Sequence, residues 1–171
     1  NNDFKVKDFF PIPEPLIQKK LSRVMSLRDG TKKMSKSDPS DYSRIMLSDN
    51  VDSIVQKIKK AKTDPHPLPA TKEEAEKRPE ALNLITIFAA LSDQSTDTVL
   101  EQYSGKEFSL FKKDLADLAA EKLQPISKEV TKLMSDQDYL DQIMKTGKDK
   151  AIAVAEPVLT KVYDIVGFAN T

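Results

Sequence analysis

The pentapeptide Lys33-Met34-Ser35-Lys36-Ser37 places two lysines three positions apart in a short polar segment. Gly30 lies upstream and Pro39 downstream, and both residues are typical of loops. Lysine is a compact cation on a flexible stem, so it can follow phosphate oxygens that move during a reaction. Serine hydroxyls add hydrogen-bond donors with little bulk. The segment therefore predicts a loop that closes over phosphate and opens again, although a solvated turn is the usual role of such a charge run.

The match to a known pattern extends beyond the pentapeptide. Arg23-Val24-Met25-Ser26-Leu27 precedes it, and the stretch Phe10-Pro11-Ile12-Pro13-Glu14-Pro15 lies further upstream. Downstream segments follow in a matching order: Ala61-Lys62-Thr63-Asp64, Asn83-Leu84-Ile85, Gln102-Tyr103-Ser104-Gly105-Lys106 and Phe111-Lys112-Lys113-Asp114-Leu115. Together they resemble the tryptophanyl-tRNA synthetases of the bacterial and mitochondrial type, in which Lys-Met-Ser-Lys-Ser is the second signature of the class I enzymes. Tyrosyl-tRNA synthetases are the second choice, because their loops usually depart from this form.

The resemblance implies an aminoacyl-tRNA ligase that activates tryptophan with ATP, accompanied by Mg²⁺, and transfers it to tRNA(Trp). It also implies a homodimer for the full-length enzyme. Departing pyrophosphate carries several negative charges, so the catalytic role falls to the cations Lys33 and Lys36. The residues predicted to bind ATP are Val24, Met25, Lys33, Met34, Ser35, Lys36 and Ser37, and no metal ligand is predicted. The alternative from a different class is a non-catalytic helical RNA-binding module whose loop merely touches phosphate.

Composition narrows the possible chemistry. Cysteine is absent and His66 is the only histidine, so disulfides, thiolate zinc sites and the other class I signature, His-Ile-Gly-His, are all excluded from this chain. We interpret this chain as the carboxy-terminal half of a longer enzyme. This half is expected to fold by itself but to be inactive alone. No apolar run is long enough to span a bilayer, so no membrane partner is expected. The lysine-rich composition and the ending Ile165-Val166-Gly167-Phe168 favour the mitochondrial matrix, with bacterial cytoplasm as the alternative.

The net charge is zero but unevenly distributed. Residues 1–62 carry fourteen Lys and Arg against eight Asp and Glu, whereas residues 63–171 carry thirteen against nineteen, so the two parts carry +6 and −6. The cationic groups that could bind phosphate are thus concentrated in residues 1–62. The back part is not a broadly basic surface for nucleic acid, and any tRNA contact there must be local.

The pattern predicts a mainly α protein. A helical bundle domain, residues 48–171, follows residues 1–47, which the resemblance implies are the short strand-containing edge of a Rossmann-like ATP domain. Strands are predicted at 23–27 and 42–47, from short apolar runs bounded by turns. Residues 63–78 are predicted to be a Pro-rich loop in which His66 is exposed.

Six helices are predicted from apolar residues spaced three and four apart, and their apolar faces are predicted to form the core. The first is capped by Ser48, the next four begin at Pro79, Ser95, Glu107 and Ser135, and the last contains Pro157. Pro125 is expected to kink the fourth helix. Gly105 and Gly147 are expected to end the third and fifth helices.

Overall fold

A computed structural model describes residues 9–17 and 23–168 of the chain. Within these residues the protein is mainly α, as the sequence predicts. The helices are α1 (Val51–Lys59), α2 (Lys72–Glu76), α3 (Pro79–Ser92), α4 (Thr96–Tyr103), α5 (Phe108–Met134) and α6 (Gln137–Val166), and one 3-10 turn covers Asp41–Ser43. In the part of the chain that the structure describes, no helix combines the length and the apolar character needed to cross a membrane.

The chain divides into two compact units. One is Ile17–Thr131, and the other consists of Asn1–Leu16 and Lys132–Thr171. The boundary predicted after residue 47 lies inside the first unit, because backbone hydrogen bonds join Leu27 both to Ser43 and to Lys62. As a statement about the domains of a longer protein, that boundary stays a prediction.

The core of the unit Ile17–Thr131 is built around α3. This helix is apolar on nearly all sides, which predicts a central position, and seven of its side chains are buried. Phe88 of α3 contacts the rings of Tyr103 and Phe111, with ring centroids 5.3 Å and 5.4 Å away. Each such aromatic pair contributes about 0.5–1.5 kcal/mol beyond its buried area. Helices α4 and α5 are thereby fixed to α3.

Several helix ends follow the predicted capping chemistry. Pro79 is the first residue of α3, where its missing N–H costs nothing. The Ser95 hydroxyl accepts the N–H of Thr98, 3.1 Å away, and so caps α4. Gly105 follows α4 with φ of 69°, the left-handed conformation expected of a residue that ends a helix.

Two predicted caps are wrong by one or two residues. Asn50, not Ser48, caps α1, because its side chain accepts the N–H of Ser53 at 2.8 Å. Asp136, not Ser135, caps α6 by accepting the N–H of Tyr139 at 3.0 Å. In both cases a residue with an equally suitable oxygen stands next to or near the predicted one, so the sequence alone does not decide between them.

The predicted end of a helix at Gly147 is also wrong. Helix α6 continues through Gly147 and Pro157 to Val166, so two predicted helices are one. A glycine in a helix interior costs only about 0.5–1 kcal/mol relative to alanine, which the neighbouring turns can offset. No described residue of α6 is buried, although the stripe that includes Val158 was predicted to be core. Apolar spacing identifies one face of a helix but not what covers that face.

No strand is present among residues 9–17 and 23–168, so both strand predictions are wrong there. Segment 23–27 forms a single antiparallel bridge, between Met25 and Lys33. A third strand cannot pair with Met25, because the side chain of Asn83 occupies its outward-facing N–H and C=O. Segment 42–47 starts within the 3-10 turn, where the N–H and hydroxyl of Ser43 both donate to the Ser40 carbonyl.

The loop 63–78 contains α2, which the sequence analysis did not predict. Thr71 caps this helix by accepting the N–H of Glu74. The loop is closed by Arg78, whose guanidinium donates to both carboxylate oxygens of Asp64 at 2.8 Å and 2.6 Å. His66 is exposed, as predicted, and its carbonyl accepts a further bond from Arg78.

Candidate functional site

The lysine pentapeptide borders an open cleft of about 570 Å³ in the unit Ile17–Thr131. The residues that line the cleft are Arg23, Val24, Lys33, Met34, Ser35, Lys36, Arg44, Ile45, Met46, Leu47, Ser48 and Val130. Five of the seven predicted ATP-binding residues are therefore brought together. The other two, Met25 and Ser37, do not line the cleft.

The upstream wall of the cleft is a hairpin-like segment, residues 24–34. The N–H of Ser26 donates to the carbonyl of Lys32 at 2.8 Å, and the N–H of Met34 donates to the carbonyl of Val24 at 3.0 Å. These two bonds flank the pair formed by Met25 and Lys33. They fix the backbone from which Lys33 projects.

The turn of this hairpin is held by Asp29. Its carboxylate accepts the hydroxyl and the N–H of Thr31 at 2.6 Å and 3.1 Å. These bonds, with the nearby ammonium of Lys32, lower the pKa of Asp29 to about 2. Lys32 lies 3.3 Å from Asp29 and does not line the cleft. The lysine immediately before the pentapeptide thus serves the turn.

Gly30 in the same turn packs directly on the start of α3. A Cβ added to Gly30 would lie 2.4 Å from the carbonyl carbon of Pro79 and 2.5 Å from the nitrogen of Glu80. Both are backbone atoms, which cannot move aside as a flexible side chain could. The glycine is therefore required by close packing, in addition to marking a loop as the sequence analysis proposed.

Asn83 of α3 holds the hairpin from the other side. It is 6% exposed, and its Oδ1 accepts the N–H of Met25 at 3.0 Å. Its Nδ2 donates to the carbonyls of Met25 and Ser26 at 3.0 Å and 3.3 Å. Since both backbone groups of Met25 are engaged, the cleft gives no support for the predicted contact between that backbone and a base. That contact stays a prediction.

Within the pentapeptide the two serines bond to each other. The hydroxyls of Ser35 and Ser37 are 3.0 Å apart, and the Ser35 hydroxyl also accepts the N–H of Ser37. Ser37 therefore shapes the turn while Ser35 faces the cleft. Lys33 and Lys36 are exposed, and neither forms an ion pair with any residue that the structure describes. Their charges are available to an anion.

Arg44, which the sequence analysis did not single out, supports the downstream wall. Its guanidinium donates to the carbonyls of Asp38 and Ser40 at 2.9 Å and 3.2 Å, and lies 3.3 Å from the carboxylate of Asp41. The residue therefore ties the segment that follows the pentapeptide to the wall at Ile45. Its Nε is buried without a hydrogen-bond partner in the described structure.

Lys57 of α1 also stabilises the downstream wall of the cleft. It is 3% exposed, and its Nζ lies 2.6 Å from Asp49 and 2.9 Å from Asp41. Asp49 in turn accepts the N–H of Met46, which lines the cleft. Burial alone would lower the pKa of Lys57, but the two carboxylates outweigh it and raise the pKa. The buried ammonium therefore remains charged and holds both acids.

Lys57 is one of the lysines in the last turn of α1, where a cation complements the helix dipole. A different signal was available: Lys57 follows Ile54 by three positions and precedes Ile58, so it lies on the buried face of the helix. A charged residue at such a position requires buried counter-charges. The cleft itself offers no metal site, since no group of three or more His, Asp or Glu among the described residues could hold a metal ion.

Comparison with known proteins gives close relatives in sequence. The chain is 53% identical over 168 residues to the tryptophan–tRNA ligase of Caulobacter vibrioides, an alignment that covers 98% of this chain and 49% of the relative. It is 51% identical over 162 residues to that of Mesorhizobium japonicum, covering 95% and 46%. The chain therefore spans about half the length of the curated relatives it matches.

Solved structures resemble the fold. Tryptophanyl-tRNA synthetase from Mycoplasma pneumoniae matches with a TM-score of 0.80 at 27% identity, covering 99% of this chain and 52% of that one. The Campylobacter jejuni enzyme, solved with ADP and tryptophan, matches with a TM-score of 0.65 at 22% identity, covering 94% and 48%. The second likeness concerns the fold alone.

A sequence model of one protein family matches residues 2–128, which is most of the chain. That family is described as tRNA synthetases class I (W and Y). All residues that line the cleft except Val130 lie within the matched range. The chain belongs to the class I tRNA synthetase family of the tryptophan and tyrosine enzymes.

Proposed function

We propose that the chain is the carboxy-terminal half of a tryptophanyl-tRNA synthetase, which activates tryptophan with ATP and transfers it to tRNA(Trp). The observation that carries this proposal is the cleft in which Val24 meets Lys33, Met34, Ser35 and Lys36. An apolar wall beside two ammonium groups that have no ion pair with a described residue suits a ligand with an aromatic base at one end and phosphates at the other. The choice of tryptophan as the amino acid rests on the names of the relatives that are 53% and 51% identical to the chain.

In the activation step the tryptophan carboxylate attacks the α-phosphorus of ATP. A bond forms between the carboxylate oxygen and phosphorus, and the bond from phosphorus to the bridging oxygen breaks, which releases pyrophosphate. Lys33 and Lys36 stabilise the negative charge that grows on the departing group. The hydroxyl of Ser35 donates a further hydrogen bond, and Ser37 holds Ser35 in place. No proton transfer by this half is required.

On the base side of ATP, the half-buried side chains of Val24 and Met34 would contact adenine. Met25 would contribute through the hairpin, in which it pairs with Lys33. Residues 1–47 would then be the edge of a Rossmann-like ATP domain whose strands lie in the other half, and residues 48–171 the helical domain. Mg²⁺ would enter with ATP as a counter-ion of its phosphates.

The proposed partners of the full-length protein are ATP, tryptophan, tRNA(Trp) and a second identical subunit. The named relatives are bacterial and give no support to a mitochondrial location, so we propose the bacterial cytoplasm. The tyrosine-specific alternative shares the family description, and the relatives named here favour tryptophan over it. By itself the chain should not catalyse, because the proposal assigns the tryptophan pocket to the other half.

The test is pyrophosphate exchange by the full-length protein, with tryptophan against tyrosine as the amino acid. Lys36→Ala should lower the single-turnover rate of adenylate formation on the order of a hundredfold, about 3 kcal/mol, as expected for the loss of one preorganised cation. Tryptophan affinity measured without ATP should stay near normal, since the charge develops only in the transition state.

Lys32→Ala is the matched control. Lys32 is a neighbouring lysine that pairs with Asp29 outside the cleft, so its loss should have little effect on the rate. Equal damage from both variants would mean that the loop is a generic basic patch. Exchange that depends on tyrosine instead of tryptophan would move the proposal to the sister enzyme.

A further inference from the structure

We propose that Asn83 is a positioning residue for the lysine loop, through which α3 sets the location of Lys33. The inference deepens the proposed function, on which its catalytic part rests. Among the described residues, the hydrogen bonds of the Asn83 side chain go to Met25 and Ser26 and not to the pentapeptide. Asn83 acts on the strand-like segment that pairs with the start of the pentapeptide.

The contact replaces a missing neighbouring strand. In a sheet, the N–H and C=O of a residue both pair with the backbone of the next strand. Here one amide side chain supplies both partners, since Oδ1 of Asn83 accepts the N–H of Met25 and Nδ2 donates to its carbonyl, each at 3.0 Å. Nδ2 also lies 3.3 Å from the carbonyl of Ser26. Asn83 is 6% exposed, so water has little access to its side chain and these bonds are costly to lose.

Any displacement of Met25 is transmitted to Lys33. The two residues face each other in the antiparallel bridge, and the bonds from Ser26 to Lys32 and from Met34 to Val24 lie on either side of it. The hairpin also meets α3 a second time, where Gly30 packs on the first residues of the helix. Both contacts lie within the first five residues of α3, so this end of the helix fixes the hairpin at its turn and at its middle.

An asparagine at position 83 is explained by its hydrogen bonds to the hairpin and not by packing in the core. Asn83 interrupts a helix that is otherwise apolar at its buried positions, where leucine or alanine would be more favourable. Aspartate at this position would keep an acceptor for the Met25 N–H but would set a carboxylate against two carbonyl oxygens. Alanine would leave the N–H and C=O of the half-buried Met25 without their Asn83 partner, which is costly.

The kinetic test uses the full-length protein with Asn83→Ala, Asn83→Asp and the control Thr86→Ala. Thr86 lies on the same helix, and among the described residues its hydroxyl donates to the carbonyl of Leu82 and to no residue of the hairpin. A small displacement of a catalytic group lowers the rate on the order of tenfold to a hundredfold. We expect that loss in kcat for adenylate formation in both Asn83 variants, with KM for tryptophan unchanged and Thr86→Ala near wild type.

A second measurement does not depend on activity. Amide hydrogen exchange without ligands should be faster by about tenfold at Ser26 and Met34 in both Asn83 variants, because the hairpin bonds that protect these amides are weakened. At Met25 it should be faster in Asn83→Ala, which removes the acceptor of that N–H. The same amides should exchange at the wild-type rate in Thr86→Ala. If Asn83→Ala does not fold, Asn83→Asp, which keeps one of the three bonds, carries both measurements.

The outcomes separate this inference from the proposed function. An active wild type with variants whose kcat and amide exchange match Thr86→Ala would overturn the role of Asn83 and leave the function intact. A fall in kcat accompanied by an equal rise in KM for tryptophan would indicate general damage and would also overturn it. A wild type without tryptophan-dependent pyrophosphate exchange would reject the proposed function. Amide hydrogen exchange alone would then decide whether Asn83 positions the hairpin.

Discussion

Replacing Lys57 with Met should destabilise the protein by about 3 kcal/mol. The ammonium is 3% exposed and lies within 3 Å of both Asp49 and Asp41. Removing one partner of a buried ion pair costs about 3–5 kcal/mol, because the remaining charge loses its counter-ion. We expect the lower end of this range. Asp49 is 14% exposed but keeps the N–H of Met46 at 2.8 Å, and Asp41 is 65% exposed and can be hydrated.

The measurement is urea unfolding, in which the midpoint should fall while the slope with denaturant stays the same. Lys59→Met is the matched control, since Lys59 is an exposed lysine on the same helix and its replacement should change stability by less than about 0.5 kcal/mol. Combining Asp49→Asn with Lys57→Met should recover most of the lost stability, because the uncompensated carboxylate of Asp49 is then gone. Equal effects of the Lys57 and Lys59 variants would refute the reasoning.

Two further predictions concern the hairpin turn and the loop before α3. Gly30→Ala should destabilise the protein by about 1–3 kcal/mol in the same urea experiment, since its Cβ would overlap the backbone of Pro79. Gly147→Ala, with nothing within 4 Å of its Cβ, should not destabilise, and a stabilised Gly30→Ala would contradict the predicted overlap. Burial alone would raise the pKa of Asp64, but Arg78 and the N–H of His66 hold that pKa below the usual 3.8. This contribution to stability is present above pH ~4 and is lost as the pH falls through the folded-state pKa. The stability difference between wild type and Asp64→Asn should therefore shrink as the pH falls from about 5 through the folded-state pKa, and a constant difference would exclude the ion pair as its cause.

The features predicted correctly from the sequence depend on neighbours close in the chain. Pro79 opens a helix because of its own ring, and Ser95 caps one by bonding an N–H three residues later. The pentapeptide likewise needs only its own residues to be noticed. Where two residues compete for one local role, as Asn50 competes with Ser48, the pattern identifies the region but not the residue.

The features that were missed depend on partners far away in the sequence. Asn83 bonds a residue 58 positions earlier, and the strand predicted at 23–27 is only one bridge because that side chain replaces a strand. Lys57 pairs with acids that precede it by eight and by sixteen positions. Both residues did carry a signal, which is a polar group at a position where the helix is otherwise buried. A polar residue at such a position indicates that a hydrogen-bond or ion-pair partner exists, but it does not identify that partner.

The two supports of the lysine loop come from different helices and act on opposite ends of it. Asn83 of α3 fixes the segment that enters the loop, and Lys57 of α1, through Asp41 and Asp49, fixes the segment that leaves it. Between these buried supports, Lys33 and Lys36 are exposed and have no ion pair with a described residue. Under the proposed function, a phosphate group that enters the cleft would meet cations whose backbone is already ordered at both ends. The entropy cost of ordering that backbone on binding would then be small, while the flexible lysine stems could still follow a group that moves during the reaction.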